Sequence, residues 1–380
     1  MTAQALCNAR VLTDKGLVEG VEVVIRGGRI VRVGRNAGVQ ADDHIDLGGG
    51  ILAPGFIDVQ VNGGGGVLFN DSQTIDAIAK IGAAHRKFGT TGFLPTLISE
   101  DLDIVAHAIA AADGAIEAGV PGVLGVHIEG PFLSPERSGV HDTSKLRLLD
   151  GHALDLLASL KRGRTMVTLA PEVTTPDMIS RLAEAGVIVS AGHTNATYEQ
   201  TCDAIANGVT AFTHVFNAMS PLTSRAPGVV GAALDDANTW VGIIVDGYHI
   251  APATLRIAFR AKPHNRIMLV TDAMPSVGMK NKNFMLQGKP IRVIDGVCVD
   301  ANGTLAGADL DMASAVRNAV HMVGVDLADA LRMASSTAAE LLGLENETGR
   351  IAAGLRADLV HLDDALHVRS TWIKGDRAFA

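Results

Sequence analysis

Apolar residues along this chain fall into two rhythms. Over residues 2–35 the segments LCNARVLTDKGLVEG and VEVVIRGGRIVRVG read as short strands, with Asp14-Lys15-Gly16 and Gly27-Gly28 as hairpin turns. Residues 349–379 read the same way, polar and apolar positions alternating around turns. From about residue 51 the pattern changes to short runs of Val, Ile and Leu separated by helical segments. These runs predict strands at 51–61, 92–97, 122–129, 166–170, 187–192, 210–215, 240–246 and 267–272. Continuous apolar runs suit strands buried on both faces of a parallel sheet. The segments between them, such as TPDMISRLAEAG and TYEQTCDAIANG, end near Gly as helices do.

Eight strands with intervening helices argue for a closed (β/α)8 barrel rather than an open sheet. We therefore expect an α/β protein with the barrel over residues 51–344. A small β-sandwich, built from residues 1–50 and 345–380, gathers the two ends. Residues 276–306 break the barrel rhythm and read as β-hairpins inserted after strand eight, on the rim where chemistry sits.

Composition narrows the function. A barrel takes about 250 residues, so 380 residues leave room for one barrel and one smaller unit. A hydrophobic fraction of 47% supports a large core, and a net charge of -9 without long charged blocks argues against nucleic acid. An anionic substrate would need local cations. Cys7, Cys202 and Cys298 are far apart and lack C-x-x-C spacing, which points to reduced, inert thiols. Without a signal-like start or a run of about 18 apolar residues, the expectation is a cytoplasmic protein with no membrane partner.

Four polar residues close predicted strands: Glu129 after GVLGVHIE, His193 after VIVSAGH, His214 after TAFTH and Asp272 after IMLVTD. Any one alone could be a solvated loop residue. In a barrel all four ends meet on one rim, where two imidazoles and a carboxylate suffice to hold a catalytic divalent metal. A further carboxylate is then a natural proton carrier. By strand alternation Asp58, Gln60 and Asn62 share one face, as do His127 and Glu129. His127 reads as a packed, hydrogen-bonded neighbour of the site rather than a fourth ligand. Gly63–Gly66 lacks a P-loop Lys or dinucleotide spacing and reads as a turn that lets backbone approach a ligand.

The runs PGFIDVQVNGGGG, HIEGPF, SAGHTNAT, FTHVFNAM, VDGYHI, VTDAM and TLAG, in this order, resemble the N-acetylglucosamine-6-phosphate deacetylases of the amidohydrolase superfamily. The resemblance covers nearly the whole chain. It implies metal ligands at Glu129, His193 and His214, with Gln60 and Asn62 standing where other amidohydrolases carry His-x-His. Neutral amides are poor ligands for a second divalent ion, so one metal per site is expected: zinc first, with iron, cobalt or manganese as alternatives.

The resemblance further implies that Asp272 takes a proton from water as it attacks the acetamido carbonyl and passes it to the amine. His141, in SGVHD, would hydrogen-bond the developing oxyanion. Gln60, Asn62, Val140, Leu305, Ala306 and Gly307 would contact the sugar. Asn217, Ala218, His249 and Arg225 would hold the phosphate, the Arg reaching across a homodimer into the neighbouring site. Rival readings are another amidohydrolase, acting on a related N-acetylhexosamine phosphate or a cyclic amide, and a scaffold that has lost its chemistry. Strand four, MVTLAPE, lacks the bridging Lys of many such relatives, and retention of all four polar strand ends argues against a scaffold.

Overall fold

The computed structural model describes residues 2–35 and 41–379. Its centre is one parallel sheet of eight strands, hydrogen-bonded in chain order. They are β1 (Phe56–Val61), β2 (Thr90–Ile98), β3 (Gly125–Glu129), β4 (Arg164–Leu169), β5 (Ile188–Ala191), β6 (Val209–Phe212), β7 (Trp240–Ile243) and β8 (Ile267–Leu269). A parallel bridge from Val61 to Ala273 joins the first and last members of the ring. Every β1, β2 and β3 residue is buried, as in strands covered on both faces.

Helices α1 (Ile75–Arg86), α2 (Leu102–Glu117), α3 (Gly151–Leu157), α4 (Pro176–Glu184), α5 (Tyr198–Ala206), α6 (Gly228–Asp235), α7 (Pro252–Ala261) and α8 (Met312–Asn318) follow the strands in turn. Local chemistry starts several of them. The Thr74, Thr175 and Asp311 side chains accept from the third residue on, and Thr197 and Gln200 form a reciprocal capping box at α5. Among the described residues no helix is long and apolar enough to cross a membrane.

The apolar run expected as one strand over 51–61 is two. Ile51–Pro54 leaves the barrel and pairs in parallel with Arg10–Thr13 on one side and antiparallel with Leu359–Leu362 on the other. It thus sits inside a six-stranded sheet that mixes both ends of the chain. A four-stranded sheet of Ala3–Cys7, Glu22–Arg26, Arg29–Gly34 and Asp43–Asp46 faces it. Leu6, Val23, Ile30, Leu52, Leu359 and Trp372 fill the space between. Period alone could not find this break, since the run ILAPGFI is apolar across it; Gly55 takes the corner, where a Cβ would lie 2.0 Å from the Thr91 hydroxyl.

The expected insertion is a four-stranded antiparallel sheet over Phe284–Leu286, Lys289–Ile294, Val297–Val299 and Leu305–Ala308. Its last strand is sewn to the end of β8: the Ala308 amide donates to the Asp272 carbonyl at 2.9 Å and the Met274 amide to the Ala308 carbonyl at 3.0 Å. The rim around Asp272 is therefore part of the insertion's own sheet.

Candidate active site

Glu129 ends β3, His193 lies two residues past β5, His214 two past β6 and Asp272 three past β8. Their backbones carry a signal that no pattern of residue types contains. His193, His214 and Asp272 all adopt left-handed φ, at 49°, 30° and 51°. For residues with a Cβ this conformation costs about 1–3 kcal/mol each. The kinks turn three side chains from the strand direction into one cavity.

There the Glu129 Oε1 lies 3.2 Å from His193 Nε2 and 3.0 Å from His214 Nε2, and the two imidazole nitrogens are 3.1 Å apart. Among the described residues these three side chains form one cluster whose ligand atoms all lie within 4.8 Å of one another. The arrangement fits a cation. His193 Nδ1 must donate to the Arg137 carbonyl at 2.8 Å, which in the neutral ring leaves the Nε2 lone pair aimed at the carboxylate and at the facing His214 nitrogen. Three electron-rich atoms at one focus need a proton or a metal ion between them.

The charges agree. Burial alone would raise the Glu129 pKa, but the contacts with His193 and His214 outweigh it and hold it well below the carboxylate range. Burial would depress His214, yet the Glu129 hydrogen bond and charge raise it. Asp272 goes the other way: burial and then the Glu129 charge push it up to about 6. A carboxyl near neutrality beside a metal focus suits proton transfer. His141 is pushed down to about 3 by burial and by His193. Its Nδ1 lies 3.3 Å from the donating Ser99 amide and 2.7 Å from the Ser99 hydroxyl. Nδ1 is thus an acceptor, and the neutral ring carries its proton on Nε2.

A cavity of about 350 Å³ opens over these groups. Asn62, Val140, His141, Asn217, Ala218, His249, Leu305 and Gly307 line it together with Glu129, His193, His214 and Asp272. Three of the expected contact residues do not line it, one of them, Arg225, being expected in a neighbouring site. Gln60 is buried and spends its amide nitrogen on both Glu129 oxygens and on Asp272 Oδ1, each at 3.2 Å. Ala306 faces the opposite way from Leu305 and Gly307, as strand alternation requires, and packs with Met274, Leu286 and Cys298 inside the insertion. Arg225 is exposed on the loop before α6 and does not line the cavity of its own chain. Asn62 both lines the cavity and donates to Asp272 Oδ1 at 2.6 Å.

The amidohydrolase family pattern matches residues 51–378. The chain belongs to the amidohydrolase family. Relatives of this amidohydrolase carry names that bear on substrate. It is 42% identical over 375 residues to the N-acetylgalactosamine-6-phosphate deacetylase of Shewanella sp. (strain ANA-3), covering 97% of this chain and 94% of that one. It superimposes at a TM-score of 0.96, with 36% identity and full coverage of both chains, on N-acetylglucosamine-6-phosphate deacetylase from Pasteurella multocida. At a TM-score of 0.91, 35% identity and full coverage of both, it matches a variant of N-acetyl-D-glucosamine-6-phosphate deacetylase from Mycobacterium smegmatis in complex with N-acetyl-D-glucosamine-6-phosphate.

The amidohydrolase site also holds residues that sequence reasoning missed. Glu136 and Arg137 line the cavity. Arg137 is tied through its Nε to Asn195 Oδ1 at 3.0 Å, and Asn195 in turn donates to Glu136. Gln287, from the insertion, accepts from the Asp142 amide and donates to the Ser99 carbonyl, bracketing His141. The tight SPERSGVH segment was the available signal, since His141 already pointed to it. His249 is steadied by Asp246, whose Oδ2 lies 2.6 Å from Nδ1, leaving the other ring nitrogen for the cavity.

Proposed function

We propose that this amidohydrolase hydrolyses the acetamido group of N-acetylglucosamine 6-phosphate, giving glucosamine 6-phosphate and acetate. The observation that carries the reading is the convergence of Glu129, His193 and His214 with a raised Asp272 in one cavity. Glu129, His193 and His214 would hold a single divalent ion, zinc first, with iron, cobalt or manganese as alternatives. Bound there, the ion supplies acidified water and polarises the amide carbonyl. The amide nitrogens of Gln60 and Asn62 point at ionised carboxylates and are donors, which supports one ion per site rather than two.

Asp272, held by Asn62 and Gln60, accepts the proton of the attacking water and delivers it to the departing amine. His141, with its proton on Nε2, donates to the oxygen that gains charge. Leu305, Gly307 and Val140 bound the sugar, and Gly307 has to be Gly: its φ is 60° and a Cβ would lie 2.9 Å from the Asp272 carbonyl. Asn217, Ala218 and His249 face the phosphate. Arg225, absent from its own cavity, completes the phosphate site of a partner subunit in a homodimer. The work is cytoplasmic, in keeping with three unpaired cysteines.

The 42% identity to a named N-acetylgalactosamine-6-phosphate deacetylase supports a second substrate reading, differing only at the C4 hydroxyl. Acetate release from both 6-phosphates and from the unphosphorylated sugars tests the reading. A kcat/KM at least about tenfold higher for a 6-phosphate is expected, the size of one charge-assisted contact. Equal rates on unphosphorylated sugars, or none on either phosphate, would overturn it.

A further inference from the structure

Beneath the metal focus lies a chain of buried polar side chains that none of the preceding chemistry uses. His127 Nδ1 is 2.9 Å from the Val59 carbonyl and Nε2 is 2.7 Å from the Thr168 hydroxyl. Thr168 Oγ1 is 2.6 Å from Thr213 Oγ1, which is 2.7 Å from the Ser190 hydroxyl. His127, Thr168 and Ser190 are fully buried, and Thr213 is 2% exposed. The links join β1, β3, β4, β5 and the end of β6 at one level of the barrel.

The direction of every proton in this chain follows from one end. A carbonyl can only accept, so His127 Nδ1 carries hydrogen and, in the neutral ring, Nε2 accepts. Thr168 must then spend its single proton on His127. Thr213 must spend its own on Thr168, and Ser190 its own on Thr213. No hydroxyl can turn round without leaving a buried acceptor or donor unmatched, which costs about 1–3 kcal/mol.

Three of the four members also lie close to a proposed ligand. His127 is two residues before Glu129 on β3, and Thr213 immediately precedes His214. His193 follows Gly192, where a Cβ would lie 2.7 Å from Thr168 Cγ2 and 3.0 Å from Thr213 Cβ. Both His193 and His214 have left-handed backbones, so the strain at the site needs a rigid support from below.

We propose that the one-way chain Ser190 to Thr213 to Thr168 to His127 is a positioning element that sets the metal affinity of the Glu129–His193–His214 centre. This rests on the metal centre described under Proposed function. The chain touches neither substrate nor reacting atoms; it acts by holding three ligand-bearing backbones in register.

Thr168→Val keeps the shape and deletes the hydroxyl at the middle of the chain. Zinc affinity, read by competition with a chromophoric chelator, should fall about 10–100-fold, the range for lost partners that orient metal ligands. The visible spectrum of the cobalt form should change in the same variant. Thr168→Ser, which restores the donor, should stay within about threefold of the parent. KM at saturating zinc should not move. A zinc affinity for Thr168→Val within about twofold of the parent, with only the melting temperature lowered, would overturn the proposal. If Thr168→Val does not fold, Ser190→Ala removes the first donor instead, and an unchanged zinc affinity and cobalt spectrum there would be equally fatal. Failure of the parent itself to bind zinc would remove the metal centre too, a result distinct from a tight-binding parent matched by its variant.

Discussion

Asp272→Asn separates what the carboxyl costs the fold from what it does in the reaction. The Asp272 pKa is pushed from 3.8 to about 6, first by burial and then by the Glu129 charge, with His214 and His249 opposing. That gap of roughly two units, at about 1.4 kcal/mol each, is on the order of 3 kcal/mol. The sign follows from proton linkage. A folded-state pKa above the unfolded one means that the folded state holds the proton more tightly. The contribution is therefore present in full below about pH 4 and is lost as pH rises through 6. In Asn that loss is absent. Metal-free Asp272→Asn should thus gain up to about 3 kcal/mol over the metal-free parent above pH 6, and the advantage should vanish near pH 4. Asp58, pushed up to about 7 chiefly by burial, adds a slope of the same sign to both proteins, slightly shallower in the Asn variant because the Asp272 charge is among its causes. Urea denaturation from pH 4 to 8 measures the stability, and zinc-loaded protein gives kcat, expected to drop about 10²–10⁴-fold. Stability curves that stay parallel across this range would refute the burial argument, and a kcat within about threefold of the parent would remove Asp272 from proton transfer.

Arg225→Ala should raise KM for the 6-phosphate substrate by about 10–100-fold, the worth of a lost charge-assisted contact. KM for unphosphorylated sugar should stay unchanged, as steady-state kinetics on both will read. Gly307→Ala forces a left-handed φ and a Cβ 2.5 Å from Met274 Cε; a loss of about 1–3 kcal/mol is expected in denaturation, with KM raised. Zinc affinity should weaken as pH falls, because His214, raised by its Glu129 contact, must give up its proton to bind. Chelator competition at pH 6 and 7.5 would show this, and equal affinities would count against these ligands. His141→Phe keeps a ring but loses the Nε2 donor, and kcat should fall about 10²–10³-fold with zinc content unchanged by elemental analysis.

The barrel was legible because its chemistry and its strand ends coincide. Glu129, His193, His214 and Asp272 each follow a short, largely apolar run, and a parallel ring has only one rim on which such ends can meet. Three kinds of fact were not legible. The run ILAPGFI is apolar throughout, so hydropathy could not tell that Ile51–Pro54 and Phe56–Val61 belong to different sheets. The left-handed turns at His193, His214 and Asp272 arise from tertiary contacts that hold residues against their own preference. Gln60 and Ala306 matched sugar-contacting positions by motif, yet one turned to the carboxylates and the other to the insertion core. Motif position identifies the neighbourhood, and only packing decides which way a side chain looks.

The six-stranded sheet of the sandwich carries a consequence for synthesis. Ile51–Pro54 lies between Arg10–Thr13 and Leu359–Leu362, so as the chain emerges from the ribosome one edge of that strand waits while some 300 residues are made. Through that interval Leu52 and its neighbours stand on an open, apolar border that another nascent chain could occupy. The barrel must mature beside an unfinished companion, and strands translated late close others laid down early.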